Sequence, residues 1–320
     1  MLTEIDSKFK FEQGKFTEGP NGRINYSLSF PGGDRTAYKG PLVVCFHGLM
    51  SSISSFSHLE KECVRSGLAV LRIDMPGHGL SSWSYFGKLT PEDFVCQVDT
   101  VVSNQGLEGY KLYLVGFSMG GLMTLHYALA HPEKVLKVAA ISPACFCRPL
   151  SFPQKSSISY APGLVRFLYN SVPFHLFVTR DSIVDDYFSP DNIDPNLIDT
   201  RYQRHKYYGR QLRSTFGRII TGFNFWNNQD LLQSFASKYL SIRGDTGILF
   251  FLSIHDDVVP YDELVPKLKD IIPQTKTLIY DNCKHQILEE GQHIIRDILA
   301  YLNSTSSIGT SFANLSVPAL

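Results

Sequence analysis

The chain has 320 residues, 43% hydrophobic and 19% charged, enough for one large α/β domain with an insertion or for two domains. Its 30 basic and 30 acidic residues cancel, so it carries no electrostatic footprint for nucleic acid. Met1 to Gln13 shows no apolar run behind basic residues, and no stretch reaches the roughly 18 apolar residues of a membrane span, so a soluble cytoplasmic protein is expected.

Phe9 to Thr17 and Ile24 to Phe30 alternate apolar and polar residues around Gly19-Pro-Asn-Gly22, which predicts an antiparallel hairpin. After the turn at Pro31-Gly-Gly-Asp34, Pro41 to Phe46 is an almost unbroken apolar strand, the pattern of burial on both faces. His47-Gly-Leu-Met-Ser-Ser52 follows it, and its glycine lets backbone N–H groups turn toward a pocket. A helix over Ser54 to Ser66 stops at Gly67. The next buried strand, Leu68 to Ile73, ends in the turn-rich loop Asp74-Met-Pro-Gly-His-Gly-Leu-Ser81. Thr90-Pro-Glu-Asp93 starts a helix that runs to about Asn104, with a capping threonine, proline at the first helical position and acids in the first turn.

Leu112-Tyr-Leu-Val-Gly-Phe-Ser-Met-Gly-Gly121 reads as a buried strand running into a tight turn, then into an apolar helix over Leu122 to Ala130. His131-Pro132 ends that helix, and Val135 to Ile141 is the next strand. Alternating helices and wholly apolar strands predict a doubly wound parallel sheet, whose ligands sit at the strands' carboxyl ends. From about Pro143 to Tyr239 the rhythm breaks. This segment is helical and aromatic, as in Phe174-His-Leu-Phe177 and Phe223-Asn-Phe-Trp226, and is read as a cap over the strand ends. Within it, Arg201 to Arg213 is basic with interleaved tyrosines and reads as a solvated helix face, with phosphate or membrane-surface contact as the alternative. The rhythm resumes with a strand at Gly247 to Ser253, a helix from Tyr261 to Asp270, a strand at Lys276 to Tyr280 and a last helix to Leu302. The expected division is a core of 1–142 and 241–302, a cap of 143–240, and a frayed tail of 303–320.

Six cysteines are too few for a disulfide scaffold, and the Cys145/Cys147 pair has no partner pair at zinc spacing. Buried reduced thiols are expected, with no metal and no cofactor. Cys45 falls in a core strand, Cys63 and Cys96 in helices. Asn25, Asn303 and Asn314 stand in glycosylation-acceptor triplets that are accidental without a secretory route.

The chemistry centres on Gly116-x-Ser118-x-Gly120. A serine raised on a strained strand-to-helix turn needs small neighbours on both sides, and it gains a helix N-terminus to stabilise a developing anion. A serine hydroxyl needs a base, and the base an orienting acid. Of ten histidines, His126 and His293 lie inside helices, His175 and His205 in the cap, and His47 and His78 in glycine loops with bracing roles. His255 sits beside an acid pair. His285, just past the last strand, can reach over to Ser118. Asp256 and Asp257 both follow the Gly247 to Ser253 strand; Asp256 is preferred and Asp257 is the alternative. The chain order is then Ser, Asp, His.

These segments, with His47-Gly48-Leu49, Asp256-Asp-Val-Val-Pro260 and Lys284-His285, resemble the α/β-hydrolase superfamily, specifically its monoacylglycerol lipase, lysophospholipase and S33 aminopeptidase branch. The resemblance implies a mostly parallel eight-stranded sheet with a helical cap after the sixth strand. It implies Ser118 as nucleophile, His285 as base, Asp256 as acid, and an oxyanion hole from the N–H groups of Leu49 and Met119. Two residues depart from the pattern: Lys284 stands where the family usually has glycine, and Ser253 where it often does. The expected reaction is hydrolysis of a carboxylic ester through an acyl-enzyme, with a monoglyceride or lysophospholipid favoured and the cap as the surface for any peripheral membrane contact. A C–C bond hydrolase, thioesterase or acyltransferase on the same residues, or a ligand-binding receptor without turnover, are the alternatives.

Overall fold

Eight strands form one sheet in the order β1-β2-β4-β3-β5-β6-β7-β8 in a computed structural model that describes residues 7–148, 151–171 and 178–304. They are β1 (Lys15–Gly19), β2 (Gly22–Ser29), β3 (Leu42–Phe46), β4 (Ala69–Ile73), β5 (Leu112–Phe117), β6 (Val135–Ile141), β7 (Ile248–Ser253) and β8 (Lys276–Tyr280). The β1–β2 and β2–β4 pairings are antiparallel, and all the others are parallel. The expected α/β, doubly wound, mostly parallel sheet is therefore present.

Alternation along each strand divides the core into two. Leu42, Val44 and Phe46 of β3 face one layer, while Val43 and Cys45 face the other. The helices α1 (Ser57–Arg65), α2 (Pro91–Asn104) and α3 (Met119–Ala130) flank the sheet. Leu59 and Cys63 of α1 join the second layer, and Val98 of α2 and Leu122 of α3 the first. Every residue of β3, β4 and β7 is buried, as a sheet covered on both faces requires. The helix predicted at Thr90 starts where expected: the Thr90 N–H donates to Asp93 Oδ2 at 2.8 Å, one arm of a capping box.

Between β6 and β7 lie α4 (Phe152–Tyr160), α5 (Pro162–Ser171), α6 (Arg180–Val184), α7 (Pro195–Tyr207), α8 (Gly209–Ile220), α9 (Gln229–Ser234) and α10 (Ser241–Arg243). Then come α11 (Tyr261–Ile271), α12 (Ile287–Glu290) and α13 (Gln292–Asn303). The side chains of α8 fasten it to the loop after β4. Gln211 Nε2 donates to the carbonyls of Gly77 and Gly79, both at 3.0 Å, and Thr215 Oγ1 to Gly77 at 2.8 Å.

Several sequence expectations are corrected. The first hairpin strand begins at Lys15 rather than Phe9, because Ser7–Phe9 is a short 3-10 turn. The expected last helix is two, broken at Gly291, whose backbone is extended. Cys96 is exposed on α2, whereas Cys45, Cys63, Cys145 and Cys283 are buried thiols. Asn25 is fully buried and donates to Asp74 Oδ2 at 2.6 Å, so it is no glycan acceptor. Phe174-His-Leu-Phe177, Asn314 and the tail from residue 305 lie outside the described residues. No helix among the described residues is long and apolar enough to cross a membrane.

Candidate active site

Ser118 stands between β5 and α3 with φ 55° and ψ −118°, a left-handed φ that a serine adopts only under constraint. The constraint is the closeness of its neighbours. A Cβ on Gly116 would lie 2.2 Å from the Gly120 carbonyl oxygen, and one on Gly120 would lie 1.8 Å from that of Phe46. Only glycine lets α3 start that close to β3 and β5. Ser142 and Met50, at the ends of neighbouring strands or loops, also have positive φ, 39° and 60°. Strain thus gathers at one rim of the sheet.

The loops after β7 and β8 reach the same rim. His285 Nε2 is 2.9 Å from Ser118 Oγ, and His285 Nδ1 lies 2.8 Å from Asp256 Oδ2 and 3.0 Å from Oδ1. Ser118, Asp256 and His285 are all nearly buried. The Val258 and Val259 N–H groups donate to Asp256 Oδ1 at 2.9 and 2.8 Å and so orient the carboxylate. Burial by itself would push the Asp256 carboxyl up. The charge and hydrogen bond of His285, with the Val259 N–H, outweigh it and hold the group below the usual carboxylate range. Asp257 lies elsewhere: its side chain is 67% exposed and pairs with Arg148 at 3.6 Å. Of the two acids left open by the sequence, the structure brings Asp256 to the histidine.

The loop after β3 closes the site from the other side. His47 is fully buried; its Nδ1 hydrogen donates to the Gly48 carbonyl at 2.8 Å, and its Nε2 accepts the Met75 N–H at 3.0 Å. Burial pushes its pKa down to about 4, so it stays a neutral strut. Asp74 accepts from the Ile53 N–H at 2.7 Å and the Leu80 N–H at 2.8 Å, tying the β3 and β4 loops together. Leu49 and Met50 form the turn between Gly48 and Ser51 that these struts hold. Neither the Leu49 nor the Met119 N–H has a protein acceptor among the described backbone hydrogen bonds.

Lys284, the unusual residue beside the histidine, is built into its loop. Its N–H donates to Glu290 Oε2 at 2.6 Å and its Nζ to the Asp185 carbonyl at 2.9 Å. Glu290 also accepts the Phe188 N–H at 2.6 Å. Lys284 therefore ties the His285 loop to the segment after α6, a link that a glycine could not make. Ser253, the other departure, donates to the Cys283 carbonyl and braces the same loop.

A cavity of about 240 Å³ opens above Ser118 and His285. Leu197, Thr200, Arg201, Arg204 and His205 of α7 line one wall, at spacings of 3, 4, 7 and 8 residues from the first. The basic stretch is thus divided: Lys206 and Arg210 are exposed, as the sequence suggested, whereas Arg201 and Arg204 line this cavity. Arg201 is neutralised there, by Glu289 at 3.5 Å, Asp186 at 3.3 Å and the Tyr187 hydroxyl at 2.7 Å. Desolvation opposes its charge, but Glu289, Tyr187 and Asp186 more than offset this and raise its pKa. Burial, with Arg201 and Arg204 beside it, pushes the His205 pKa down to about 4. The aromatic segment is corrected too: Phe223 stacks on Phe225 and packs against Phe94 in the core, away from the cavity.

Residues 41–292 match the family model for the alpha/beta hydrolase fold. The chain belongs to the α/β-hydrolase family. A pimeloyl-[acyl-carrier protein] methyl ester esterase of Salmonella heidelberg is 32% identical over 97 residues, covering 30% of this chain and 35% of that protein. The α/β-hydrolase chain thus spans less than half the length of the curated relatives it matches. Among solved structures, an enol-lactonase of Burkholderia xenovorans superposes with a TM-score of 0.70 at 15% identity, over 91% of this chain and 100% of that one. An esterase of Exiguobacterium antarcticum gives 0.65 at 17%, over 91% and 100%. At such identities these likenesses speak for the fold.

Proposed function

We propose that this α/β-hydrolase cleaves a carboxylic ester through an acyl-enzyme on Ser118. One observation carries the reading: a strained serine at a helix N-terminus shares a hydrogen bond with an imidazole whose other nitrogen is held by a buried aspartate. Ser118 Oγ attacks the ester carbonyl carbon while His285 Nε2 takes its proton. The new C–O bond forms as the carbonyl π bond shifts its electrons to oxygen. That oxyanion sits on the N–H groups of Leu49 and Met119, each worth ~3–4 kcal/mol. The tetrahedral adduct collapses, the ester C–O bond breaks, and His285 returns the proton to the departing alcohol. Water, deprotonated by the same imidazole, then attacks the acyl-enzyme and releases the acid and Ser118. Asp256 stabilises the imidazolium in both halves. The helices between β6 and β7 act in this scheme as a cap that shields the acyl-enzyme.

The cavity narrows the substrate. Its volume lies below the ~300–1,000 Å³ usual for ligand pockets, and Ser51, Ser54, Ser55 and Thr200 line it alongside its apolar residues. Phe223 and Phe225 pack in the core and lend the cavity no acyl-binding wall, so a long acyl chain rests on the resemblance alone. A compact ester fits this site better than a monoglyceride or lysophospholipid. The test is covalent labelling by a fluorophosphonate probe, with p-nitrophenyl esters of increasing acyl length as substrates. The expected result is labelling that disappears in Ser118→Ala and turnover that falls with acyl length. Folded wild-type protein that neither takes the probe nor cleaves any ester would refute the reading.

A further inference from the structure

Arg204 differs from its neighbour Arg201. Both lie on the cavity wall formed by α7, but no carboxylate among the described residues lies within ion-pair distance of Arg204. Its guanidinium rests on the Phe11 ring at 5.2 Å. Its hydrogen bonds go to neutral acceptors and are long: the Phe9 and Lys10 carbonyls at 3.4 Å each and Ser54 Oγ at 3.5 Å. A guanidinium satisfied by its surroundings would have contacts nearer 2.8 Å. The other titratable groups on that wall are already paired or neutral. Arg201 is matched by Glu289 and Asp186, and burial keeps His205 neutral at neutral pH. The cavity that contains Ser118 therefore presents one guanidinium with no carboxylate within ion-pair distance among the described residues, on a partly desolvated, ring-supported fork. Such a group recognises a planar monoanion.

Building on the ester-hydrolase reading, we propose that the substrate is a compact ester bearing a free carboxylate, and that Arg204 receives that carboxylate while Ser118 attacks the ester carbonyl. Arg201 is the fixed neighbour that keeps Glu289 away from the incoming anion. The small, polar cavity suits a short diacid half-ester, with the two functional groups at opposite ends of a few methylenes. A phosphate dianion would need a second unpaired cation, and the described cavity residues provide none.

The experiment compares the monomethyl esters of succinic, glutaric and adipic acid with the matching methyl esters in which the free acid is a carboxamide. Acid release gives kcat/KM for each pair in wild type, Arg204→Gln and Arg204→Lys. In parallel, each ester competes with fluorophosphonate labelling of Ser118. Wild type is expected to favour at least one half-ester over its amide by about 10- to 100-fold, the size of one charge-assisted contact. Arg204→Gln collapses that ratio toward one, and Arg204→Lys keeps part of it. The half-ester slows labelling more than its amide does, and this difference disappears in Arg204→Gln. A wild type with no preference in either turnover or competition overturns the proposal and leaves the serine-hydrolase reading standing. So does an Arg204→Gln enzyme that loses rate on both esters at an unchanged ratio, which would make Arg204 a brace for the Phe9–Phe11 segment. Folded protein whose Ser118 takes no probe at all overturns both.

Discussion

Replacing Gly120 by alanine sets two effects of opposite sign against each other. Gly120 is the second residue of α3, so alanine should favour the helix by up to about 1 kcal/mol. The added methyl, however, would lie 1.8 Å from the Phe46 carbonyl oxygen and 2.7 Å from that of His47. Both atoms are buried backbone, at the last residue of β3 and the one after it, so no rotamer change relieves the contact. To regain a separation of about 3.0 Å, the start of α3 must retreat by some 1.2 Å, the difference between 3.0 and 1.8 Å. Overpacking of this kind costs up to ~3 kcal/mol or more. The clash should win by about 2 kcal/mol, which lowers Tm by about 3 °C in a domain of this size. The same retreat carries the Met119 N–H away from the proposed oxyanion position, and a misplacement of about 1 Å costs on the order of 10²-fold in rate. Circular dichroism melts and the fluorophosphonate labelling rate measure the two consequences separately. Gly163→Ala on α5 is the control, because the nearest atom there, Arg166 Nη2, is 4.0 Å away. A Gly120→Ala protein that melts at or above wild type and labels at the wild-type rate would refute the close-approach argument for this turn.

Three further outcomes follow from the same geometry. Asp256→Asn should cut kcat for ester hydrolysis by about 10⁴-fold by spoiling the imidazole tautomer, while Asp257→Asn, at an exposed site, should change it less than about twofold. Arg201→Met leaves Glu289 and Asp186 without their cation in a partly buried cluster. It should lower the urea-unfolding free energy by about 3 kcal/mol, the low end for breaking such a pair. His47 is held neutral, with its pKa pushed from 6.5 down to about 4. The unfolded chain therefore binds this proton first as pH falls, so the stability is complete above pH ~6.5 and is lost as pH drops from there through about 4. Urea titrations at pH 7 and pH 5 should show that loss in wild type. His47→Gln, less stable at pH 7, should lose less between the two.

The strands were legible because each carries its own signal in consecutive residues. Val135–Ile141 and Lys276–Tyr280 are bounded as the apolar runs predict, and the Thr90 start follows from a cap, a proline and two acids within one turn. The meeting of residues 118, 256 and 285 was legible for a different reason. In a parallel sheet the loop after every strand emerges on the same edge, so three loops known to follow strands must share a rim. Register and packing, which no local pattern contains, then decided between Asp256 and Asp257: adjacent residues point apart, and the buried one met the imidazole.

The wall of the cavity was misread because charge was taken as a sign of solvent. Residues 197, 200, 201, 204 and 205 follow the same helical period that marks an apolar core face, but three of the five are cationic or titratable. A stripe of that period that is polar has two physical outcomes, a water-facing surface or a buried cluster with its counter-charges. The counter-charges here come from Asp186 and from Glu289, far along the chain, so the sequence near α7 gives no hint of them. One sign was still readable. Arg201 and Arg204 stand three residues apart with Leu197 on the same face, and a solvated basic face has no reason to keep a leucine in register with its cations. Mixed stripes of this kind are where a helix turns from packing to recognition. The unequal pairing of these two arginines, one saturated and one not, separates the residue that holds the wall from the one left to meet a ligand.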